Sequence, residues 1–188
     1  MKKSDYIDFV QKGSDALQIF FDKMYDTFKP TQQTEINFSD QHSIVGNAHL
    51  TGKLDLAEFD APNKNIVVTD YKTGKPVRTW TGKTDYDKIK LHKYKQQLMF
   101  YKLMVENSRD FHNYEINLGI IRFIEPTSNG DIISLEDNFD PDELERFSKL
   151  INTVWTHIIK LDLPDISKYD PTHKGILAFE QDLIDQVI

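Results

Sequence analysis

The chain has 188 residues, 39% hydrophobic and 12% aromatic, which is enough for one domain with a real core and too apolar for a disordered segment. It has no cysteine, which excludes disulfides, thiolate zinc sites, iron–sulfur clusters and cysteine nucleophiles, and its net charge of −7, taken whole, argues against nucleic acid as a partner. No apolar run is long enough to span a membrane and the opening "MKKSDYIDF" lacks a signal-peptide core, so a cytoplasmic protein with no membrane partner is expected.

Residues 4 to 28 read as helical, with Ser4 as a cap, Pro30 just past the end, and Leu17, Phe20, Phe21, Met24, Tyr25 and Phe28 along one apolar face. Gly13 is a point where this stretch can split in two. "TEINFS" (34–39) is strand-like, and "NAHLTGKLDLAEFD" (47–60) alternates, with Leu54 and Leu56 on one side and Lys53 and Asp55 on the other. "APNKN" (61–65) has turn chemistry, so "IVVTDYK" (66–72) is expected to pair antiparallel with the preceding strand. After a loop over 73–83, residues 85 to 107 predict a helix with Tyr94, Leu98, Tyr101 and Val105 on one face. "YEINLGIIRFI" (114–124) alternates as a strand and "SNGD" turns the chain into "IISL" (132–135). A helix follows from Pro141 to about Leu161, with Asp140 as N-cap, Glu143 completing a capping-box pattern, and a stripe of Leu144, Phe147, Ile151, Val154, Ile158 and Leu161. The tail "AFEQDLIDQVI" reads as a short helix or a docking segment. No linker divides the chain, so residues 1–188 are expected to form a single domain of α/β or α+β class around one mixed sheet.

Charge is unevenly spread. Residues 70 to 102 hold nine basic side chains, Lys72, Lys75, Arg78, Lys83, Lys88, Lys90, Lys93, Lys95 and Lys102, against Asp70, Asp85 and Asp87. That segment contains "VVTDYKTGKP", where an apolar strand carries a carboxylate and an ammonium two residues apart. Residues i and i+2 share a face, so Val68, Asp70 and Lys72 point one way, and a buried pair of this kind needs a partner or an ion. The hairpin brings Asp55 and Asp70 toward one spot, where two carboxylates repel unless a cation neutralises them. All-oxygen ligation selects Mg²⁺ or Mn²⁺. The competing reading is a structural ion pair between Asp55 and Lys72. Gln97 and Tyr101 are i, i+4 neighbours able to hydrogen-bond backbone or phosphate, although Tyr101 also suits a core position. Gly82-Lys83-Thr84 is not a phosphate loop, because the position five residues before Gly82 is Val77.

Together, "LTGKLDLAEFD", "IVVTDYKTGK" and "QQLMFY" resemble the PD-(D/E)XK nuclease superfamily. Within it they are most similar to the RecB-like branch at the C-terminal ends of UvrD/Rep/AddA-type DNA helicases. The matching motifs are Gly52 to Asp55, Asp70 to Gly74, and Gln97 to Tyr101, over about residues 50 to 105. The resemblance implies a restriction-endonuclease-like core and a Mg²⁺- or Mn²⁺-dependent DNA nuclease serving repair or recombination. It makes Asp55 and Asp70 metal ligands with the carbonyl of Tyr71, Lys72 the residue that positions and activates water, and Gln97, Tyr101 and Lys75 contacts to DNA. It also implies an N-terminal helicase motor as partner in a longer parent chain. Iron–sulfur-bearing relatives carry four cysteines, so no such cluster is expected here. The branch usually adds a His or Glu ligand from an N-terminal helix, where this chain has Leu17, and Glu35 lies on a strand instead. That departure motivates the alternative, a catalytically inactive DNA-binding or partner-docking module on the same fold. A third reading is a structural domain packed on the motor.

Overall fold

The structure, a computed structural model, describes residues 3–186. The elements in chain order are α1 (Lys3–Met24), a short 3-10 turn (Tyr25–Thr27), β1 (Gln32–Asn37), β2 (Ser43–Val45), β3 (Ala48–Leu50), β4 (Lys53–Asp60), β5 (Asn65–Lys72), α2 (Asp85–Glu106), β6 (Glu115–Phe123), β7 (Ser134–Asp137), α3 (Pro141–Lys160) and α4 (His173–Ile184). Five strands form a mixed sheet in the order β1-β4-β5-β6-β7, and β2-β3 form a separate hairpin. The β4–β5 hairpin is antiparallel, as the "APNKN" turn requires. β5 and β6 are parallel, with α2 as the crossover between them.

Local chemistry explains most boundaries. Thr84 and Asp87 form a reciprocal capping box at the start of α2. Asp140 caps α3 by accepting from the amides of Asp142 and Glu143. No capping box forms there, because the Glu143 side chain pairs with Lys95 on α2 instead. Alternation buries Val68 and Asp70 of β5 on the α2 side, and Ile121 and Phe123 of β6 complete that layer. Leu98, Met104 and Val105 of α2 are fully buried against it, each contributing roughly 1.5–3 kcal/mol of transfer free energy. Gly119 is required by packing: a Cβ there would meet the Phe139 ring at 2.8 Å and Leu98 Cβ at 3.2 Å.

Several expectations need correction. The 47–60 segment breaks into β3 and β4 at Thr51 and Gly52, where a Cβ on Gly52 would stand 3.1 Å from Met104 Sδ of α2. α1 runs unbroken through Gly13 and starts at Lys3, so Ser4 lies inside it; the Ser4 side chain falls outside the described residues. The N-terminal reading rests partly on residues 1 and 2, and the C-terminal one partly on 187 and 188, which also lie outside them. α1 buries Ala16 and Phe20 but leaves Leu17 and Phe21 half-exposed, so its apolar stripe is only partly used. The α3 stripe behaves alike: Phe147 and Leu150 are buried, whereas Ile158 is 50% and Leu161 88% exposed. The open end of that stripe lines a cavity of about 570 Å³ between α2, α3, α4 and β3, walled by Phe100, Leu150, Val154, Trp155 and Phe179. No described helix is long and apolar enough to cross a membrane.

Candidate active site

β5 carries Asp70 and Lys72 on the face it turns to α2, and α2 answers with Gln97 and Tyr101. Asp70 is 2% exposed. Its Oδ1 accepts from Gln97 Nε2 at 2.7 Å and from the Tyr101 hydroxyl at 2.8 Å. Gln97 Nε2 also donates to the Tyr101 oxygen at 2.7 Å, while Gln97 Oε1 accepts from Lys72 Nζ at 2.7 Å. One amide side chain therefore fixes the carboxylate, the phenol and the ammonium together. Lys72 Nζ stands 2.5 Å from Asp70 Oδ2 and 4.8 Å from the centroid of the Tyr94 ring. The contact with Oδ2 is an ion pair without hydrogen-bond geometry, so Oδ2 is a buried acceptor left without a hydrogen-bond donor.

Asp55 enters from β4. The β4–β5 ladder ends at Leu56 and Thr69, so the backbone amide of Tyr71 has no partner strand residue there and donates to Asp55 Oδ2 at 3.0 Å. The Lys72 carbonyl accepts from Ile124 on the β6 side. Strand alternation then turns the backbone groups of Tyr71 to the other side, beside Asp55. The Tyr71 ring lies on the opposite face of the sheet, edge-on to Phe20 of α1 at 5.8 Å. The structural ion pair weighed from the sequence joins Lys72 to Asp70 and not to Asp55.

Electrostatics follow burial. Desolvation pushes the Asp70 carboxyl above its ordinary value, and the field of Asp55 adds to this, against the opposing pull of Lys72 and the Tyr101 hydrogen bond. The Tyr101 phenol is raised by burial and then by Asp70, so it remains a neutral hydrogen-bond donor at any physiological pH.

The residues suit a hard divalent cation on two counts: a buried Asp70 Oδ2 that has the Lys72 ammonium beside it but no well-formed hydrogen bond, and a donor set of carboxylate and carbonyl oxygens from Asp55, Asp70 and Tyr71. Magnesium is commonly held by one or two carboxylates with water completing the shell. Among the described residues no group of three His, Cys, Asp or Glu side chains forms a ligand cluster. α1 faces the sheet with Ala16 and Phe20, while Asp15 and Asp22 bond Gln11 and Gln18 on its solvent side. Glu35 pairs with Lys53 in solvent.

The arrangement is a carboxylate pair on adjoining strands with a lysine two residues on, braced by a glutamine–tyrosine helix. The family model of the PD-(D/E)XK nuclease superfamily matches residues 7–170. The chain belongs to the PD-(D/E)XK nuclease superfamily. Its five-stranded mixed sheet flanked by helices is the restriction-endonuclease-like core of that superfamily. Membership indicates nuclease chemistry in general terms, the hydrolysis of phosphodiesters with divalent metal ions. Comparison with curated proteins finds no match.

The structure thus gathers Asp55, Asp70, Lys72, the Tyr71 backbone, Gln97 and Tyr101. Lys75 stands apart in the loop after β5, its carbonyl accepting from Lys90 Nζ at 3.2 Å. The basic segment is not uniform. Lys102 is buried and bonds Glu106 and the Ile116 carbonyl, Arg78 pairs with Asp131 and Lys95 with Glu143. Among the described residues Lys75, Lys83, Lys88, Lys90 and Lys93 have no ion-pair partner. Sequence reading missed Tyr94 as a contact of Lys72. The signal was its place at i−3 from Gln97 on the same helix face.

Proposed function

We propose that this PD-(D/E)XK domain is a Mg²⁺- or Mn²⁺-dependent deoxyribonuclease of the RecB-like kind, working beside a helicase motor in DNA repair or recombination. The observation that carries the catalytic part is the single network in which Gln97 ties Asp70, Tyr101 and Lys72 together next to Asp55. The helicase context rests on the motif resemblance alone.

Asp55, Asp70 and the Tyr71 carbonyl are the groups that would hold the cation. When bound, it supplies Lewis-acid stabilisation of phosphoryl charge and makes water more acidic. Lys72 would hold the attacking water and offset negative charge developing on the phosphate. Gln97 keeps the Lys72 ammonium and the Asp70 carboxylate in fixed relation, and the Tyr101 hydroxyl fixes the orientation of that carboxylate through Oδ1. Preorganisation of this type needs no rearrangement during the reaction. Gln97, Tyr101 and Lys75 are also proposed contacts to DNA.

The test is cleavage of a tailed DNA duplex in Mg²⁺. Parent protein is expected to cut, and Asp70→Ala and Lys72→Ala to lose cutting while keeping a cooperative unfolding transition. Either variant cutting at the parent's rate sinks the assignment. A second reading, a non-catalytic DNA-binding module, is favoured by the apolar face that α1 turns to the sheet. It predicts salt-sensitive binding with no cleavage in any divalent metal.

A further inference from the structure

Lys90 and Lys72 share one aromatic ring. Their ammonium groups lie 5.6 and 4.8 Å from the centroid of Tyr94. The two cations are thus within about one screening length of each other, ~10 Å at 0.1 M salt. Lys72 has Asp70 as counter-ion, but Lys90 has no carboxylate partner among the described residues. The nearest acid in sequence, Asp87, feels the field of Lys90 but spends its carboxylate on the Thr84 cap.

Lys90 is nevertheless held in place. Its Nζ donates to the Lys75 carbonyl at 3.2 Å, stands over the Phe123 ring at 5.5 Å and passes close to Gly74. A solvated lysine on a helix surface would not be fixed by a carbonyl and two rings beside another cation. Such fixing orders a long side chain next to a second ammonium, and an anion from outside would offset the charge that Asp70 and Asp87 leave over. The position is on the helix face that carries Tyr94, Gln97 and Tyr101 towards the carboxylates, at the end of β5 where the chain leaves the sheet.

We propose that Lys90 forms a phosphate subsite of the nucleic-acid strand, one or two nucleotides from the bond held at Asp55, Asp70 and Lys72. The assignment rests on the nuclease reading above. A strand carries a phosphate every ~3.4 Å of rise, so a second ammonium beside the ring that Lys72 also contacts can take a phosphate next to the scissile one. Tyr94 is then a positioning residue, its ring contacted by both cations.

The experiment is equilibrium binding with Ca²⁺ in place of Mg²⁺, using a tailed duplex in which a single neutral methylphosphonate linkage is moved step by step along the strand. Parent affinity is expected to fall roughly tenfold at one linkage. Lys90→Gln should weaken the unmodified DNA by a similar factor, lose sensitivity at that linkage alone, and lower the slope of log affinity against log salt by about 0.7–0.9. Lys90→Arg should restore both, which separates a lost charge from a damaged fold. If Lys90→Gln matches the parent in affinity and salt slope, or stays as sensitive as the parent at every linkage, the subsite is overturned. A parent indifferent to all linkages overturns it as well. Parallel cleavage in Mg²⁺ keeps the two ideas apart. Lys90→Gln behaving as parent while Asp70→Ala loses cleavage defeats the subsite alone. A parent that neither binds nor cuts defeats the nuclease reading and the subsite with it.

Discussion

Removing one oxygen from the network tests whether Tyr101 works as a brace. Tyr101→Phe keeps the buried ring, which is 6% exposed, and deletes a hydroxyl that donates to Asp70 Oδ1 at 2.8 Å and accepts from Gln97 Nε2 at 2.7 Å. A hydrogen bond to a charged acceptor is worth about 1.5–3 kcal/mol, and no space opens for water to replace it fully. Gln97 still reaches Oδ1, so the lower half of that range applies, about 2 kcal/mol. In a chain of this length the unfolding midpoint should drop by roughly 4–8 °C. The Tyr101 bond also opposes the upward push of burial on the Asp70 carboxyl, so its loss must raise that carboxyl further. The acid limb of a rate or metal-binding profile should move to higher pH. Differential scanning calorimetry, with metal binding followed by titration calorimetry at several pH values, reads both effects. An unchanged midpoint together with an unchanged acid limb would refute the bracing role, because the hydroxyl could then have held neither the fold nor the carboxylate.

Gly119→Ala should destabilise by about 1–3 kcal/mol in urea unfolding, since the new methyl meets Phe139 at 2.8 Å and Leu98 in a fully packed layer; full parental stability would mean that this layer yields easily. Asp140→Ala should cost about 1 kcal/mol by removing the cap on the Asp142 and Glu143 amides, and Asp140→Asn should recover most of it in the same measurement. Burial pushes the Glu180 carboxyl upward, but its bonds to His92 and Gln96 and the field of Arg146 outweigh this and leave it below its ordinary value. A lowered carboxyl contributes stability that is complete above the unfolded value and lost as pH falls through the folded one. Glu180→Gln should therefore flatten the decline of stability below about pH 4.5, and an acid limb as steep as the parent's would contradict the assignment.

Much of the site could be read along the chain because its parts are local. The period of two puts Asp70 and Lys72 on one face, the "APNKN" turn brings Asp55 beside them, and the i, i+4 rule aligns Gln97 with Tyr101. Helix ends were legible where a side chain caps its own amides, as Asp140 does. Glu143 shows the limit: the capping box is a local possibility, yet Lys95 of a different helix claimed its carboxylate. The apolar stripes of α1 and α3 mislead for the same reason, since periodicity tells which residues share a face and not whether anything packs on it.

Interactions a few residues apart made the helices, the β4–β5 hairpin and the carboxylate–lysine strand legible in the chain, but not the separate β2–β3 hairpin. The tertiary structure decided the rest. Parallel pairing of β5 with β6 sets α2 across the sheet, which buries Asp70, lets one glutamine join three site residues, and hangs Lys72 and Lys90 over the same tyrosine ring. Those facts are distances between elements far apart in the chain, and an acid's charge, a lysine's partner and a helix face's exposure all depend on them.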